Sequence, residues 1–300
     1  MKHLTIIEAP SNLGLMQLAP AREPGVRRLP DWLRRHSFQE QLRPEKIFKV
    51  EPPPYSMDYD DEAGVRNAEA IAAYSQDLSG TLKTTLSKKS FSLAIGGDCS
   101  ILIGCGLALK STGDYGLIFL DGHTDFIMPH NSFTKGAAGM DLAIVTGHGH
   151  DKLSNISGMR PYFKEEHVFA LGNRYYDESF VAPIRKSAIR YFDLMTIRAK
   201  GIGNIADEFL VMVERLRLDG FWIHFDVDVL DNSIMPAVDS PQDDGLSYLE
   251  LKEILPLLIQ SPLSVGMDLT ILDPDLDVSG EVTKTFVKNM VEIFFEMSRT

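Results

Sequence analysis

Short apolar runs recur along the chain and alternate with longer segments that have helical spacing. Each run is nearly continuous in apolar residues and is bounded by Gly, Pro or Asp, which predicts strands covered on both faces. The predicted strands span residues 4–7, 46–50, 92–95, 116–120, 167–171, 189–192, 221–225 and 264–267. Strands of this kind separated by helices predict an α/β fold, with one parallel sheet between two layers of helices.

The segments between the runs carry the helix signals. Residues 67–86, 205–216 and 280–298 have apolar side chains at helical spacing, and Ser247 precedes an acidic first turn, which predicts an N-cap. Residues 10–43 are rich in Pro and Arg without a clear period. Two interpretations stay open for that segment: a long loop with a short helix near residues 29–35, or a loop that walls a site.

Composition excludes several classes of partner. The 300 residues include 30 Lys+Arg and 42 Asp+Glu, a net charge of −12, which argues against nucleic acid and anionic membrane surfaces. Signal-peptide features and a run of about 18 apolar residues are both missing from the sequence, so we expect no membrane span. Two cysteines are too few for a disulfide scaffold. We therefore expect a cytoplasmic protein.

Polar residues collect directly after three of the predicted strands. The motifs are GGDCS over residues 96–100, DGHTD over 121–125 and DVDVLD over 226–231. In open α/β sheets, ligands bind at the carboxyl ends of the strands. Any one motif is also compatible with a solvated loop or a helix N-cap. Three such motifs at three strand ends predict a site instead.

The spacing of these residues indicates a metal site. In extended chain, residues at i, i+2 and i+4 project to one side, so Asp121, His123 and Asp125 converge. Asp226 and Asp228 do the same from another strand. Crowded carboxylates are costly to bury unless cations neutralise them, so a divalent metal is the simplest explanation. Oxygen donors suit Mn²⁺ or Mg²⁺, whereas imidazole and thiolate favour Zn²⁺ or Fe²⁺.

The chain resembles the ureohydrolase superfamily of arginases, agmatinases and formiminoglutamases. The resemblance covers nearly the whole chain and lies in the order of the three motifs. Members of this superfamily carry GGDHS, DAHxD and DxDxxDP at strand ends, and they use a dimanganese centre to activate hydroxide against a guanidino or amidino carbon. The resemblance implies a single three-layer α/β/α domain over residues 1–300 with a mostly parallel eight-stranded sheet. It also implies one or two divalent ions, Mn²⁺ first with Zn²⁺ or Fe²⁺ as alternatives. The implied metal ligands are Cys99, Asp121, His123, Asp125, Asp226 and Asp228.

The sequence departs from this family at positions that matter for the substrate. Cys99 stands where the family has His, and a soft thiolate disfavours Mn²⁺. The family's proton-shuttling His falls near Ala138, so His130 in the same loop is the candidate replacement, unless it is a solvent-exposed loop residue. The Glu that grips a guanidinium falls at Ile271, so plain arginine is not expected as the substrate. Asp177 is the candidate for holding a substrate amino group, unless it lies in a surface loop.

The leading hypothesis is a metal-dependent hydrolase of linear, non-peptide C–N bonds in a guanidino- or amidino-type small molecule. Metal-activated hydroxide would attack, and Asp125 or His130 would assist proton transfer. The alternative is a catalytically inactive protein of the ureohydrolase fold that binds a metabolite or a partner. A single-zinc deacetylase is disfavoured because no His-His dipeptide occurs in the sequence.

The resemblance also implies a homo-oligomer.

Overall fold

The central element is a sheet of eight parallel strands. The computed structural model describes residues 2–17, 19, 22–87 and 89–296. The strands are β1 His3–Ala9, β2 Lys46–Lys49, β3 Tyr59–Asp60, β4 Val65–Arg66, β5 Ser90–Gly96, β6 Tyr115–Leu120, β7 Val168–Leu171, β8 Arg190–Phe192, β9 Gly220–Asp226 and β10 Ser264–Thr270. The sheet has the order β2-β1-β5-β10-β9-β6-β7-β8, with parallel pairing throughout. Strands β3 and β4 form a separate antiparallel pair.

Helices cover both faces of the sheet. They are α1 Leu29–Arg35, α2 Phe38–Leu42, α3 Ala68–Lys83, α4 Ile101–Lys110, α5 Asp141–Val145, α6 Asp151–Ser154, α7 Glu178–Lys186, α8 Leu194–Lys200, α9 Ile202–Arg215, α10 Tyr248–Gln260 and α11 Glu281–Glu296. Helices α1, α2 and α8 to α11 contribute to one hydrophobic core, and α3 to α7 contribute to the other. The arrangement is therefore three-layered.

Alternation along the strands fills both cores. On β6, Leu117 and Phe119 belong to one core, and Ile118 and Leu120 belong to the other. All four side chains are fully or almost fully buried. A strand buried on both faces needs apolar residues at successive positions, which is why these strands read as continuous apolar runs.

The start of α10 shows how a local signal fixes a helix end. The Ser247 hydroxyl accepts a hydrogen bond from the Glu250 backbone N–H at 3.2 Å, and the Glu250 carboxylate accepts one from the Ser247 N–H at 2.8 Å. This reciprocal pair is a capping box, which satisfies two backbone donors that a helix start leaves without partners. The predicted N-cap at Ser247 is confirmed.

The fold prediction is confirmed in its main parts and wrong at both edges of the sheet. All eight predicted strands are present, and the sheet is wholly rather than mostly parallel. The edge strands β2 and β8 are not covered on both faces as predicted: Ile47 of β2 is 47% exposed, and Arg190 of β8 is exposed. The predicted helix near residues 29–35 is α1. Residues 18, 20 and 21 of the long loop and 297–298 of the last predicted helix lie outside the described residues.

Sheet order brings the three polar motifs to one place. Strands β5, β10, β9 and β6 are consecutive neighbours, although β5 and β6 follow each other in the chain. Because all four strands are parallel, their carboxyl ends lie side by side at one edge of the sheet. Across the described residues, no helix is both long and apolar enough to cross a membrane.

Candidate metal centre

The turn after β5 is held tightly against the loop that follows β1. The Asp98 carboxylate accepts hydrogen bonds from the Ser11 hydroxyl and from the Ser100 backbone N–H, both at 2.8 Å. A Cβ atom on Gly97 would lie 1.7 Å from the Ser11 carbonyl oxygen, so only glycine fits this approach. The turn thereby fixes the position of Cys99 at the carboxyl edge of the sheet.

The Cys99 thiol reaches the ends of two neighbouring strands. It donates to Asp226 Oδ2 at 2.9 Å and lies 3.1 Å from the Thr270 hydroxyl. Its side chain is almost fully buried. Burial and then the carboxylate of Asp226 raise the pKa of this thiol well above its ordinary value.

The motifs after β6 and β9 interlock through backbone and side-chain contacts. The Gly122 N–H donates to Asp228 Oδ1 at 2.9 Å, and His123 Nδ1 lies 2.8 Å from Asp228 Oδ2. The His123 N–H donates to Asp121 Oδ1 at 2.6 Å. Ligand atoms of Asp121, His123 and Asp228 all lie within 4.8 Å of one another. Asp121 and His123 of one motif thus meet Asp228 of the other, whereas the spacing predicts Asp125 beside Asp121 and His123.

Asp125 and Asp226 extend the same acidic cluster. Asp226 Oδ1 accepts from the Asp228 N–H at 2.8 Å. Asp125 has a backbone φ of +40°, in the left-handed region, and lines a cavity of about 270 Å³ together with Cys99, His123, Asp226 and Asp228. The six residues predicted as metal ligands thus gather at one edge of the sheet.

The electrostatics of the cluster favour bound cations. Burial and then the neighbouring carboxylate of Asp228 raise the pKa values of Asp121 and Asp226. Burial acts to lower the pKa of His123, but Asp228 and Asp121 together outweigh it and hold that pKa well above its usual value. Each shift records an unfavourable concentration of negative charge that a divalent cation would relieve.

The donor set also fits a metal. Asp121 Oδ2 is buried and lacks a hydrogen-bond partner, which is unusual for a carboxylate oxygen in a protein interior. The cluster offers carboxylate oxygens from four Asp residues and one imidazole. Such oxygen-rich donors suit Mn²⁺ or Mg²⁺, with His123 extending the range toward Zn²⁺ and Fe²⁺.

The cavity wall carries one acid that the sequence did not single out. Asp239 lines the cavity, and burial followed by the nearby Asp228 raises its pKa to about 6. Apolar side chains supply much of the rest of the wall, including Leu15 of the long N-terminal loop and Phe180 of α7. The N-terminal loop therefore forms part of the cavity wall. The signal for Asp239 was its position after the DVDVLD motif, in a loop whose path only the fold shows.

Two of the departures read from the sequence face this cavity directly. Ala138 and Ile271 both line it, at the positions where the resemblance implied a proton-shuttling His and a guanidinium-binding Glu. Ile271 has a φ of +78°, unusual for a β-branched residue, and its N–H donates to the Gly97 carbonyl at 2.8 Å. The cavity wall therefore has apolar side chains at the two positions where the resemblance implied a His and a Glu.

His130 and Asp177 lie away from the cluster. His130 is exposed in a one-turn 3₁₀ helix, Pro129–Asn131, and is not among the described residues that line the cavity. Asp177 is also exposed, and its carboxylate caps α7 by accepting from the Ser179 N–H at 2.8 Å. Neither side chain is brought to the other predicted site residues.

A second buried polar group lies next to Cys99, and sequence reasoning did not assign it to the site. Asp141 and His224 are fully buried, and their ligand atoms lie with the Cys99 sulfur within 4.8 Å of one another. His224 Nδ1 lies 2.5 Å from Asp268 Oδ2. A signal was available, because His224 stands two residues before Asp226 on the same strand and so projects to the same side.

Comparisons with known proteins agree with the fold and with the family resemblance. A family model described as the arginase family matches residues 3–296. The arginase of Bacillus caldovelox is 28% identical over 302 residues, covering 99% of this chain and 99% of that protein. The arginase of Staphylococcus aureus (strain COL) is 28% identical over 296 residues, covering 98% and 97%.

Solved structures give the same result. The native structure of the arginase from Bacillus caldovelox superimposes with a TM-score of 0.86 at 26% identity, over 98% of each chain. The formimidoylglutamase of Bacillus subtilis subsp. subtilis str. 168 has a TM-score of 0.72 at 20% identity, over 100% of this chain and 88% of that one. The latter likeness concerns the fold alone.

Proposed function

The chain belongs to the arginase family, and on that premise we propose that it is a divalent-metal hydrolase of a guanidino- or amidino-type small molecule. The bond cleaved is a linear C–N bond outside a peptide. One observation carries the proposal: Asp121, His123 and Asp228 converge beside a cavity that His123 and Asp228 line, and a buried oxygen of Asp121 has no protein partner. We also propose a cytoplasmic location, in keeping with the unpaired thiols of Cys99 and Cys105.

The metal is held in this proposal by Asp121, His123, Asp125, Asp226 and Asp228, with Cys99 at the margin of the set. Mn²⁺ is the first choice because most donors are carboxylate oxygens. When bound, the metal supplies a Lewis acid that lowers the pKa of water and so provides a nucleophile near neutral pH. The role of these side chains is to hold the ions next to the cavity.

Proton transfer falls to Asp125 in this proposal. Asp125 carries a carboxyl group, which can act as a general acid or base. Asp125 also lines the cavity, whereas His130 is exposed outside the described lining. His130 is therefore the weaker of the two candidates.

The walls of the cavity indicate a guanidino or amidino compound other than plain arginine. Ile271 offers no charge partner for a guanidinium, and Asp177 is engaged as a helix cap rather than turned to the cavity. Asp239 is the remaining acid beside the cluster. In this proposal Asp239 binds the cationic amidino group of the substrate. Aromatic residues of the cavity wall, such as Phe180, contact the rest of the substrate.

The test is hydrolysis of a panel of guanidino and amidino compounds, arginine included, by protein loaded with Mn²⁺. Release of urea, ammonia or formamide is followed, and the proposal expects metal-dependent turnover of at least one compound other than arginine. Asp226→Asn should abolish it. Asp231→Asn is the matched control, because Asp231 belongs to the same motif but only caps a local turn through the Ser233 N–H at 2.7 Å. Turnover that persists in Asp226→Asn, or arginine as the best substrate, contradicts the proposal.

The cavity also favours a second candidate, a catalytically inactive protein that binds a metabolite or a partner. Its basis is the apolar pair Ala138 and Ile271 at the cavity surface. Metal-loaded protein that binds compounds of the panel but releases no product from any of them supports this second candidate. Product release excludes it.

A further inference from the structure

Beside the acidic cluster lies a second polar group whose members are almost fully buried, with Cys99 at the edge of the cavity. Cys99 is 1% exposed, and Asp141 and His224 are each 0% exposed. We propose that Cys99, Asp141 and His224 form a separate, buried site for one transition-metal ion, with Zn²⁺ the best fit. This assigns the Cys99 thiol to its own ion and leaves the oxygen-rich donors to the acidic centre. The inference does not depend on hydrolase activity.

Two buried atoms of this polar group have no hydrogen-bond partner. His224 Nε2 and Asp141 Oδ2 are both buried and make no hydrogen bond. They lie 3.8 Å apart, too far for a hydrogen bond. A nitrogen and an oxygen ligand on a tetrahedral Zn²⁺, with bonds of roughly 2.0–2.2 Å, stand about 3.3–3.6 Å apart. The observed separation is therefore within a few tenths of an ångström of what a shared ion requires.

Hydrogen bonds and ring packing hold the His224 imidazole in one orientation. His224 Nδ1 lies 2.5 Å from Asp268 Oδ2, and the Trp222 indole N–H donates to the other oxygen of Asp268. Metal-ligating His residues usually donate their second ring nitrogen to a carboxylate in this way, which fixes the tautomer. Phe119 stacks on the His224 ring at 4.4 Å between centroids. The imidazole is thus held with Nε2 bare and aimed at Asp141.

The other two ligands are oriented as well. Asp141 Oδ1 accepts from the Leu142 N–H at 2.6 Å, so the unpartnered Oδ2 points to His224. The Cys99 sulfur is placed by the turn after β5 and contacts the Thr270 hydroxyl at 3.1 Å. Ligands that are preset by packing and by outer hydrogen bonds need little rearrangement to bind an ion.

Charge and donor type narrow the choice of ion. A thiolate and a carboxylate together carry two negative charges, which a divalent ion neutralises, and a buried charge needs such compensation. Sulfur with imidazole selects Zn²⁺, Co²⁺ or Fe²⁺ over Mn²⁺ and Mg²⁺. The acidic centre, which has one imidazole and four carboxylates, has the opposite preference. The chain then holds a soft and a hard metal site in adjacent positions.

Cobalt titration of the metal-free protein tests the proposal. Co²⁺ bound to a thiolate gives a charge-transfer band in the near ultraviolet, and we expect this band to saturate at one Co²⁺ per chain. His224→Gln and Asp141→Asn should each weaken Co²⁺ binding at this band more than tenfold. Cys105→Ala should leave the band unchanged, because Cys105 is the other buried thiol and lies in α4 outside the cluster. Asp121→Asn should also preserve the band.

Three results of the titration with the variants above overturn the proposal. The first is no thiolate band in the wild-type protein. The second is a band that survives both His224→Gln and Asp141→Asn. The third is a band lost in Asp121→Asn, which places the thiol in the acidic centre. Where His224→Gln fails to fold by circular dichroism, Asp268→Asn replaces it: the band should remain while affinity falls about 10–100-fold, the usual effect of removing an outer-shell partner. Unchanged affinity in that variant contradicts the site.

Discussion

Nδ1 of His123 lies 2.8 Å from Oδ2 of Asp228 and joins the motif that follows β6 to the motif that follows β9. The two strands are neighbours in the sheet but more than a hundred residues apart in the chain. This contact is where two separately predicted motifs become one site. The carboxylate of Asp228 is also a chief cause of the raised pKa of His123.

We predict that Asp228→Asn lowers the pKa of His123 in the metal-free protein, because the substitution removes the charge that stabilises the imidazolium. It should also weaken Mn²⁺ binding more than about tenfold, since a charged ligand is lost. An NMR titration of the imidazole and a calorimetric Mn²⁺ titration measure the two effects. Asp231→Asn serves as the control for both. A His123 pKa that does not move would show that the contact has no electrostatic role.

Asp239→Asn is predicted to weaken binding of the guanidinium cation, used as a competitive ligand at pH 8. The carboxylate is largely ionised there because its pKa is about 6. Hydrogen bonds to a charged group contribute about 1.5–3 kcal/mol, so the inhibition constant should rise about tenfold or more. Ser240→Ala, a neighbouring change at the same cavity wall, should leave it nearly unchanged. Equal inhibition of both variants would remove Asp239 from the substrate site.

Ile271→Glu is predicted to improve kcat/KM for cationic guanidino compounds, arginine among them. The change places a carboxylate at a cavity position that now offers only an aliphatic side chain. The backbone N–H of this residue bonds to the Gly97 carbonyl, which keeps the side chain directed as it is. Ile271→Gln controls for polarity without charge. If Glu and Gln variants behave alike, charge at this position does not decide the substrate.

His167 gives a prediction for stability against pH at the opposite edge of the sheet, just before β7. Burial lowers its pKa below the usual value near 6.5, although Asp114, 3.7 Å away, acts to raise it. The unfolded chain therefore binds the proton first, and stability falls as pH drops below about 6.5 toward the lower folded pKa. His167→Gln should reduce that fall by at most about 1.4 kcal/mol per pH unit, the limit for one proton.

Urea unfolding at pH 8 and pH 5.5 provides the measurement for His167. Between these two pH values, the free energy of unfolding should fall more for the wild type than for His167→Gln. A wild-type curve as flat as that of the variant would mean that His167 titrates alike in both states.

The strands and helices followed from the sequence because their signals are local. Continuous apolar runs mark strands covered on both faces, and Ser247 with Glu250 marks the start of α10. Strands β2 and β8 were misjudged because their residues do not show that they lie at the two edges of the sheet, a property set by strand order.

The same limit explains what was missed at the site. The three motifs were found because each contains its own polar residues. The group of Asp141, His224 and Cys99 comes from three distant segments, and it forms only because β10 and β9 are inserted between β5 and β6. Asp239 lies in a loop with no periodic pattern. Their convergence depends on tertiary structure rather than on spacing.

The most direct measurement for the central claim is anomalous diffraction at the manganese edge from crystals grown with Mn²⁺. The account predicts an anomalous peak among the carboxylates of Asp121 and Asp228 and the imidazole of His123, beside the cavity. The peak should vanish in crystals of Asp121→Asn. Crystals of the wild type soaked to saturation that show no anomalous density at this position would contradict the account.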